Sequence, residues 1–154
     1  MTDAETQLKS FVDKFDPAHR TIIRAVRKAL RTRFPTAIEL AYDNYNFFVI
    51  GYSPTERPSD AIVSIAAGAS GVGLCFIHGA RLADPKKILL GSGKQTRFIR
   101  IESAAVLQRP EVDTLLTAAV AGAKTPFQAS GRGTLLIRSV SAKQRPRRSH
   151  SAQE

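Results

Sequence analysis

Apolar residues recur at helical intervals in three segments of the chain, and helix start or stop signals flank each segment. The first helix is predicted to start near Asp3, where Thr2 and Glu5 have the spacing of a capping box. The second is predicted over residues 17 to about 34, and the third over residues 110–124. Their apolar faces are Leu8, Phe11, Val12 and Phe15, then Ile22, Ile23, Val26 and Leu30, then Val112, Leu115, Leu116, Ala119 and Val120.

Between the second and third helices the pattern changes to short runs rich in β-branched and aromatic residues. These runs predict strands over residues 37–42, 47–52, 61–66, 72–77 and 96–101, and residues 134–140 could form one last strand. Residues 84–90 are predicted as a short helix. Because the connections are short, antiparallel pairing is favoured. The predicted class is therefore α+β, with the helices packed on one face of a mainly antiparallel sheet.

Length and composition suit one folded domain with a tail. The chain has 154 residues, of which 43% are hydrophobic, so it is long and apolar enough to form a core. We assign residues 1–140 to the domain and residues 141–154 to a basic tail, which is predicted to be disordered because it lacks apolar periodicity. No apolar run approaches the roughly 20 residues that cross a membrane, and the start of the chain is acidic. We therefore expect a cytoplasmic protein without a membrane partner.

The net charge of +10 is unevenly distributed. Residues 125–154 contain six basic residues and one acidic residue, so about a fifth of the chain carries half of the charge. Such a field attracts polyanions weakly and with a strong salt dependence. The candidate nucleic-acid contacts are a stripe on the second helix and the arginines of the tail, namely Arg20, Arg24, Arg27, Arg31, Arg145, Arg147 and Arg148. The stripe could equally be a solvated helix face, because no nucleic-acid-binding motif accompanies it.

Two other regions contain candidate ligand contacts. The glycines of Gly91-Ser92-Gly93-Lys94 would let backbone N–H groups approach an anion, with added charge from Lys94 and Arg97. The sequence does not fit a Walker A loop, and the alternative is a glycine turn leading into the next strand.

Tyr42 and Tyr45 lie in a turn rich in aromatic and polar residues. The candidate cleft is therefore Tyr42, Tyr45, Gly91, Ser92, Gly93, Lys94 and Arg97, although Tyr45 could instead bridge the sheet and the helices.

Several stretches of the chain resemble a bacterial family, the YdhG-like domain of unknown function. The residues that carry the resemblance are 40–46 (LAYDNYN), 82–85 (LADP), 89–94 (LLGSGK) and 97–100 (RFIR), together with the helix that begins at Pro110. The resemblance extends from about Leu8 to Ala123. It implies an α+β fold in which helices cover a curved antiparallel sheet of about five strands. Some related proteins are described as frataxin-like iron chaperones, a role that requires acidic surface residues.

The sequence assigns no catalytic residue, no metal ligand and no cofactor. Cys75 is the single cysteine, and on a strand its side chain points to the opposite face from that of His78. Between Leu74 and Phe76, Cys75 resembles a small buried hydrophobic residue. No serine–histidine–acid spacing or paired acidic motif is present, so an enzyme is the class of protein with the least support.

Three functional hypotheses follow. The favoured one is a non-enzymatic binding or interaction domain of the YdhG-like type. The first alternative is a weak binder of nucleic acid or another polyanion, acting through the basic tail and the helix stripe. The second alternative is a frataxin-like intracellular iron carrier. The sequence leaves the ligand open between a small anion and a nucleic acid, and a homodimer is compatible with it.

Overall fold

The structure, a computed structural model, describes residues 3–149 of the chain. Its three α-helices are α1 (Asp3–Val12), α2 (Pro17–Arg33) and α3 (Pro110–Ala121), which confirms the three predicted helices. Thr2 of the predicted capping box lies outside the described residues. Pro17 and Pro110 each occupy the first helical turn, where the missing N–H costs nothing. Within residues 3–149, no helix combines the length and the apolar character needed to span a membrane.

Six strands form one open, mixed sheet. They are β1 (Ile38–Asp43), β2 (Phe48–Ser53), β3 (Val63–Gly68), β4 (Gly71–Phe76), β5 (Arg97–Arg100) and β6 (Thr134–Val140). The strand order is β5-β4-β3-β2-β1-β6, and every neighbouring pair is antiparallel except β1 and β6, which are parallel. The prediction of about five antiparallel strands is thus corrected. The long connection between β5 and β6, which contains α3, returns the chain to the end of the sheet at which β1 starts. Parallel pairing of β6 with β1 requires such a crossover.

Residues 84–90 do not form the predicted short helix. The carboxylate of Asp84 accepts hydrogen bonds from the backbone N–H groups of Ile88 and Leu89, both at 3.0 Å. Lys87 adopts a positive φ of 53°, which a helix does not allow. Leu90 then forms an isolated antiparallel bridge with Phe98 of β5. Local side-chain capping by an aspartate has therefore replaced helical hydrogen bonding.

The core lies between the helices and one face of the sheet. In the β1–β2 register, Glu39 is opposite Tyr52 and Asp43 is opposite Phe48, so these four side chains share the face towards the helices. Phe48 is fully buried, and its ring centroid lies 6.1 Å from that of Phe11 and 6.0 Å from that of Phe15 in the segment after α1. Apolar residues of α3 join the same cluster.

The first part of the basic tail packs against the domain, contrary to the predicted disorder. Residues 141–149 follow β6 and run beside the β1–β2 turn. The backbone N–H of Ser141 donates to the carbonyl of Asp43, and that of Arg145 donates to the carbonyl of Tyr45, both at 2.8 Å. Polar contacts fix this segment, which explains why its lack of apolar periodicity was misleading. Residues 150–154 of the predicted tail lie outside the described residues.

The packing of Phe48 can be tested against its neighbour Phe47, which is 53% exposed. We expect Phe48→Ala to lower the free energy of unfolding by about 3–5 kcal/mol, because it leaves a cavity beside Phe11 and Phe15. Phe47→Ala should cost less than about 1 kcal/mol. Urea unfolding of both variants, followed by circular dichroism, measures the difference. Equal losses would contradict the difference in burial between the two rings.

Candidate functional site

A groove with a volume of about 930 Å³ lies between α2, the start of β1 and the start of β6. Five basic and two acidic side chains are among its lining residues, so charge dominates its chemistry. The basic residues are Arg24, Arg27, Lys28, Arg31 and Arg132, and the acidic residues are Glu5 and Glu39.

Arg27 organises the floor of the groove. Its Nε and Nη2 atoms donate to the two carboxylate oxygens of Glu39, at 2.9 and 2.8 Å. Its Nη1 and Nη2 atoms donate to the two oxygens of Glu5 in α1, at 3.0 and 2.7 Å. Tyr52 donates its hydroxyl proton to Glu39 at 2.8 Å. One guanidinium thus holds two carboxylates by paired hydrogen bonds, the strongest geometry available to an arginine.

The protonation states of the floor follow from these contacts. The hydrogen bond from Arg27 lowers the pKa of Glu5 despite partial burial. Burial lowers the pKa of Arg27, but its hydrogen bonds to Glu39 and Glu5 outweigh that effect and keep the pKa above its ordinary value. Burial, followed by the charge of Glu39, raises the pKa of Tyr52 well above its ordinary value. At neutral pH Tyr52 is therefore a proton donor, and the floor is a fixed hydrogen-bonded unit.

The walls of the groove contain cations that the floor does not use. Lys28 and Arg132 are exposed, and within residues 3–149 neither has a carboxylate at salt-bridge distance. Arg31 is 57% exposed, and its Nε lies 3.8 Å from Glu39, a long contact that water screens. Gly133 brings the segment of Arg132 close to the α2–β1 connection. A Cβ atom at Gly133 would lie 2.5 Å from the carbonyl oxygen of Ala37, so only glycine fits there.

A second buried ion cluster fixes the tail at the other end of β1. The Asp43 carboxylate accepts hydrogen bonds from Lys14 at 2.7 Å and from Arg147 at 2.8 Å. Arg147 also donates to the carbonyl of Asn44 at 2.6 Å, and its side chain is only 2% exposed. Burial alone would raise the pKa of Asp43, but the hydrogen bonds from Lys14, Arg147 and Gln144 outweigh it and hold the pKa below its ordinary value.

The fold does not bring the residues of the predicted cleft together. Tyr42 lies on β1, and Tyr45 follows it in the β1–β2 turn. The Gly91–Lys94 loop precedes β5, which is four strands away from β1. At about 4.8 Å between neighbouring strands, the separation across the sheet is about 19 Å. Tyr42 and the loop therefore belong to different regions of the surface.

The Gly91–Lys94 loop has the geometry of a glycine turn. Gly91 has a φ of 109°, a conformation that favours glycine. The Arg97 guanidinium donates to the carbonyls of Gly93 and Thr96, at 2.6 and 2.9 Å, so it closes the loop on itself. Ser92 and Lys94 are exposed to solvent.

The predicted arginine contacts differ in how much charge they offer to a ligand. Arg27 is half-buried and Arg147 is buried, each in ion pairs, and Arg24 pairs with Asp13 at 2.9 Å. Arg145 lies over the ring of Tyr45, with its guanidinium carbon 5.6 Å from the ring centroid. Arg148 donates its Nε to the carbonyl of Lys14 at 3.2 Å, and half-buried Arg20 remains near Asp13. The helix stripe is therefore partly a structural network.

Sequence reasoning missed four residues of the groove. Lys28 lies outside the arginine stripe, and Arg132 was counted only in the net charge of residues 125–154. Glu39 and Tyr52 lie on strands that were predicted from their β-branched and aromatic residues. A charged residue inside an apolar strand was the available signal for Glu39, because a buried carboxylate requires a buried cation. Nothing in the local sequence links Arg132 to α2, since it is a neighbour only through the parallel pairing of β6 with β1.

Cys75 is half-buried on the sheet face opposite the helices. Burial raises the pKa of its thiol, although a hydrogen bond with Ser64 partly opposes the shift, so it lacks the lowered pKa of a nucleophile. Within the described ranges, no group of three or more His, Cys, Asp or Glu side chains is placed to hold a metal ion.

The Asp43 cluster predicts how stability depends on pH. Because its folded-state pKa is lowered, Asp43 stabilises the fold above its unfolded-state pKa of about 3.9, and the contribution is lost as the pH falls through the folded value. We expect Asp43→Asn to cost about 3–5 kcal/mol at pH 7, since two cations lose their buried counter-charge. The cost should shrink as the pH falls below about 4.

Urea unfolding of the wild-type protein and Asp43→Asn at several pH values between 7 and 3 measures this effect. Asp113→Asn is the control, because Asp113 is 55% exposed in its pair with Arg33 and should contribute at most about 1 kcal/mol. A cost for Asp43→Asn that did not change with pH would argue against an ionised Asp43 as the anchor of the tail.

Compared with protein-family models, with curated proteins and with solved structures, the chain matched none of them. The resemblance to YdhG-like domains therefore rests on the sequence stretches quoted above and stays a prediction. The candidate functional site of the chain is the basic groove, which five basic and two acidic residues line.

Proposed function

We propose that this chain is a non-enzymatic binding domain that holds a small polyvalent anion in the groove between α2 and the start of β6. The observation that carries the proposal is the contrast between floor and walls. The floor carboxylates are already bound by Arg27, whereas Lys28 and Arg132 have no carboxylate partner within residues 3–149 and Arg31 has only a distant one. Cations left on the walls of a concave site attract an anion from solution.

The dimensions of the groove support a small ligand. A volume of about 930 Å³ lies within the range of about 300–1,000 Å³ that is usual for small-molecule sites. Lys28 and Arg31 come from α2 and Arg132 from the segment before β6, so a ligand with two or more acidic groups could bridge the walls. Arg31 and Arg132 suit phosphate and carboxylate groups, because a guanidinium binds both by paired hydrogen bonds.

The floor supports binding rather than catalysis. Both oxygens of Glu39 accept hydrogen bonds from Arg27, and one also accepts the Tyr52 proton. A general base needs a carboxylate or imidazole with a lone pair directed at substrate. Here the carboxylate instead orients Arg27 and stiffens the groove. We retain the YdhG-like domain as the proposed family, because the resemblance also implies a small α+β domain without an assigned activity.

Charge reversal on the groove walls tests the proposal. We expect pyrophosphate and citrate to bind the wild-type protein in isothermal titration calorimetry, with one site per chain. Lys28→Glu and Arg132→Glu should each weaken binding about tenfold or more, because each removes a charge-assisted contact of about 1.5–3 kcal/mol. Lys86→Glu is the matched control, since it makes the same charge change at an exposed residue outside the groove.

Three results would contradict the proposal. In the first, neither anion produces heat. In the second, the control variant weakens binding as much as the groove variants do. In the third, the groove variants bind as well as the wild-type protein. Binding of pyrophosphate without citrate would narrow the ligand class to phosphates and would leave the site assignment intact.

A polyanion is the second candidate ligand. The exposed side chains of Arg24 and Arg31 extend the basic wall along α2, so a nucleic-acid backbone could follow the same surface. We expect a labelled single-stranded oligonucleotide, followed by fluorescence anisotropy, to bind with an affinity that falls steeply with salt if this candidate holds. Lys28→Glu together with Arg132→Glu should then reduce the slope of log affinity against log salt. An unchanged slope would remove the groove from the polyanion site.

A further inference from the structure

The outer edge of β6 is an unpaired strand edge. β6 stands last in the strand order and, among the strands of residues 3–149, pairs only with β1. In the described part of the chain, no other backbone group forms a hydrogen bond to residues 134–140. An edge strand directs about half of its backbone N–H and C=O groups away from the sheet, where they form a template for one more strand.

The other edge of the sheet is closed by its own loop. On β5, Phe98 both donates to and accepts from the backbone of Leu90, at 3.0 and 2.8 Å. β5 is also short, at four residues, and has an arginine at each end. By contrast β6 has seven residues and contains neither proline nor glycine. Its protection consists of one register shift near Arg138, where the strand contains an extra residue, and of the charge of Arg138 itself.

The side chains along β6 offer apolar surface to an added strand. Leu135, Leu136 and Ile137 are half-buried, and Val140 is 54% exposed. Residues 135 and 137 point towards the helices and residue 136 towards the opposite face, so an added strand would find apolar neighbours on both faces.

The charge around this edge indicates what kind of strand fits. Arg132 precedes β6, Arg138 lies within it and Lys143 follows it, and all three are exposed. A second copy of this chain would bring the same cations and a net charge of +10. Antiparallel self-pairing centred on Ile137 would place the two Arg138 side chains diagonally across the strands, about 7–8 Å apart. Like charges at that position oppose a homodimer through this edge.

We propose that the outer edge of β6 binds an extended, acidic segment of another protein as a seventh strand. Backbone hydrogen bonds supply the affinity in this mode of recognition, and alternate side chains supply the specificity. Carboxylates of the partner pair with Arg132, Arg138 and Lys143, and its apolar side chains pack on Leu135 to Ile137. This site adjoins the anion groove, because Arg132 and Leu135 also line the groove, but the strand adds at the outer edge of β6 whereas Lys28 lies on α2.

A synthetic heptapeptide in which Glu and Val alternate tests the proposal, with fluorescence anisotropy as the measurement. We expect saturable binding to the full-length protein that weakens with salt, and no binding of the same peptide with Lys in place of Glu. Arg138→Glu should weaken binding about tenfold, because it replaces an attraction by a repulsion. Lys86→Glu and Lys28→Glu should bind the peptide as the wild-type protein does.

Backbone methylation of the peptide separates strand addition from simple charge attraction. The N–H groups of a strand point alternately towards and away from the edge that it joins. Of two peptides methylated on either the odd or the even amide nitrogens, one should lose binding and the other should keep it. Equal binding of both would overturn the proposal.

Three further results would also overturn it. In the first, the lysine peptide binds as tightly as the glutamate peptide. In the second, Lys28→Glu weakens binding as much as Arg138→Glu, which would place the peptide in the groove. In the third, the protein alone forms a dimer, detected by sedimentation, that Arg138→Glu strengthens and that the peptide does not disrupt. That result would assign the edge to a second copy.

Discussion

Two buried carboxylates on one face of β1 set the arrangement of the whole domain. Glu39 and Asp43 both point towards the helices and are 4% and 0% exposed. A carboxylate in such a place needs a cation and further hydrogen bonds, because the cost of removing its charge from water is several kcal/mol. Arg27 of α2 meets this need for Glu39, and Arg147 with Lys14 meets it for Asp43. Arg27 therefore joins β1 to the helix that precedes it, and Arg147 joins β1 to a segment that is distant in sequence.

This constraint also decides which cations remain for a ligand. An arginine stripe suggests a uniformly basic helix face, yet Arg27 is committed to Glu39 and Glu5, and Arg24 is paired with Asp13. The charge that faces the groove comes mainly from residues outside that stripe, Lys28 and Arg132. Arg27 fixes the floor of the groove, because its hydrogen bonds join α1, α2 and β1. Since the floor carboxylates are already bound by Arg27, Lys28 and Arg132 stay available to an anion.

The sequence was sufficient for the helices and most of the strands, because their apolar periodicity is local information. It failed at one local loop and at the places where distant residues meet. Residues 84–90 were predicted as a helix, but the Asp84 carboxylate accepts hydrogen bonds from the backbone N–H groups of Ile88 and Leu89 and holds a loop instead. The tail was predicted to be free because nothing in its composition identifies Asp43 as a partner for Arg147. The groove escaped prediction for the same reason, since the parallel pairing of β6 with β1 brings Arg132 to α2.

The parallel strand explains why a binding groove and an open edge occur side by side. An antiparallel hairpin after β1 could not have brought residues 132–134 to the start of β1, where α2 ends. The crossover through α3 does so, with Gly133 allowing the close approach to Ala37. The same crossover makes β6 the last strand of the sheet, and no backbone group of residues 3–149 pairs with its outer side.

Residues 141–149 hold the far end of β6 through Arg147, so both ends of this strand are fixed before any partner arrives. A rigid edge is a better template for an added strand than a mobile one, because the ordering cost has already been met within the domain.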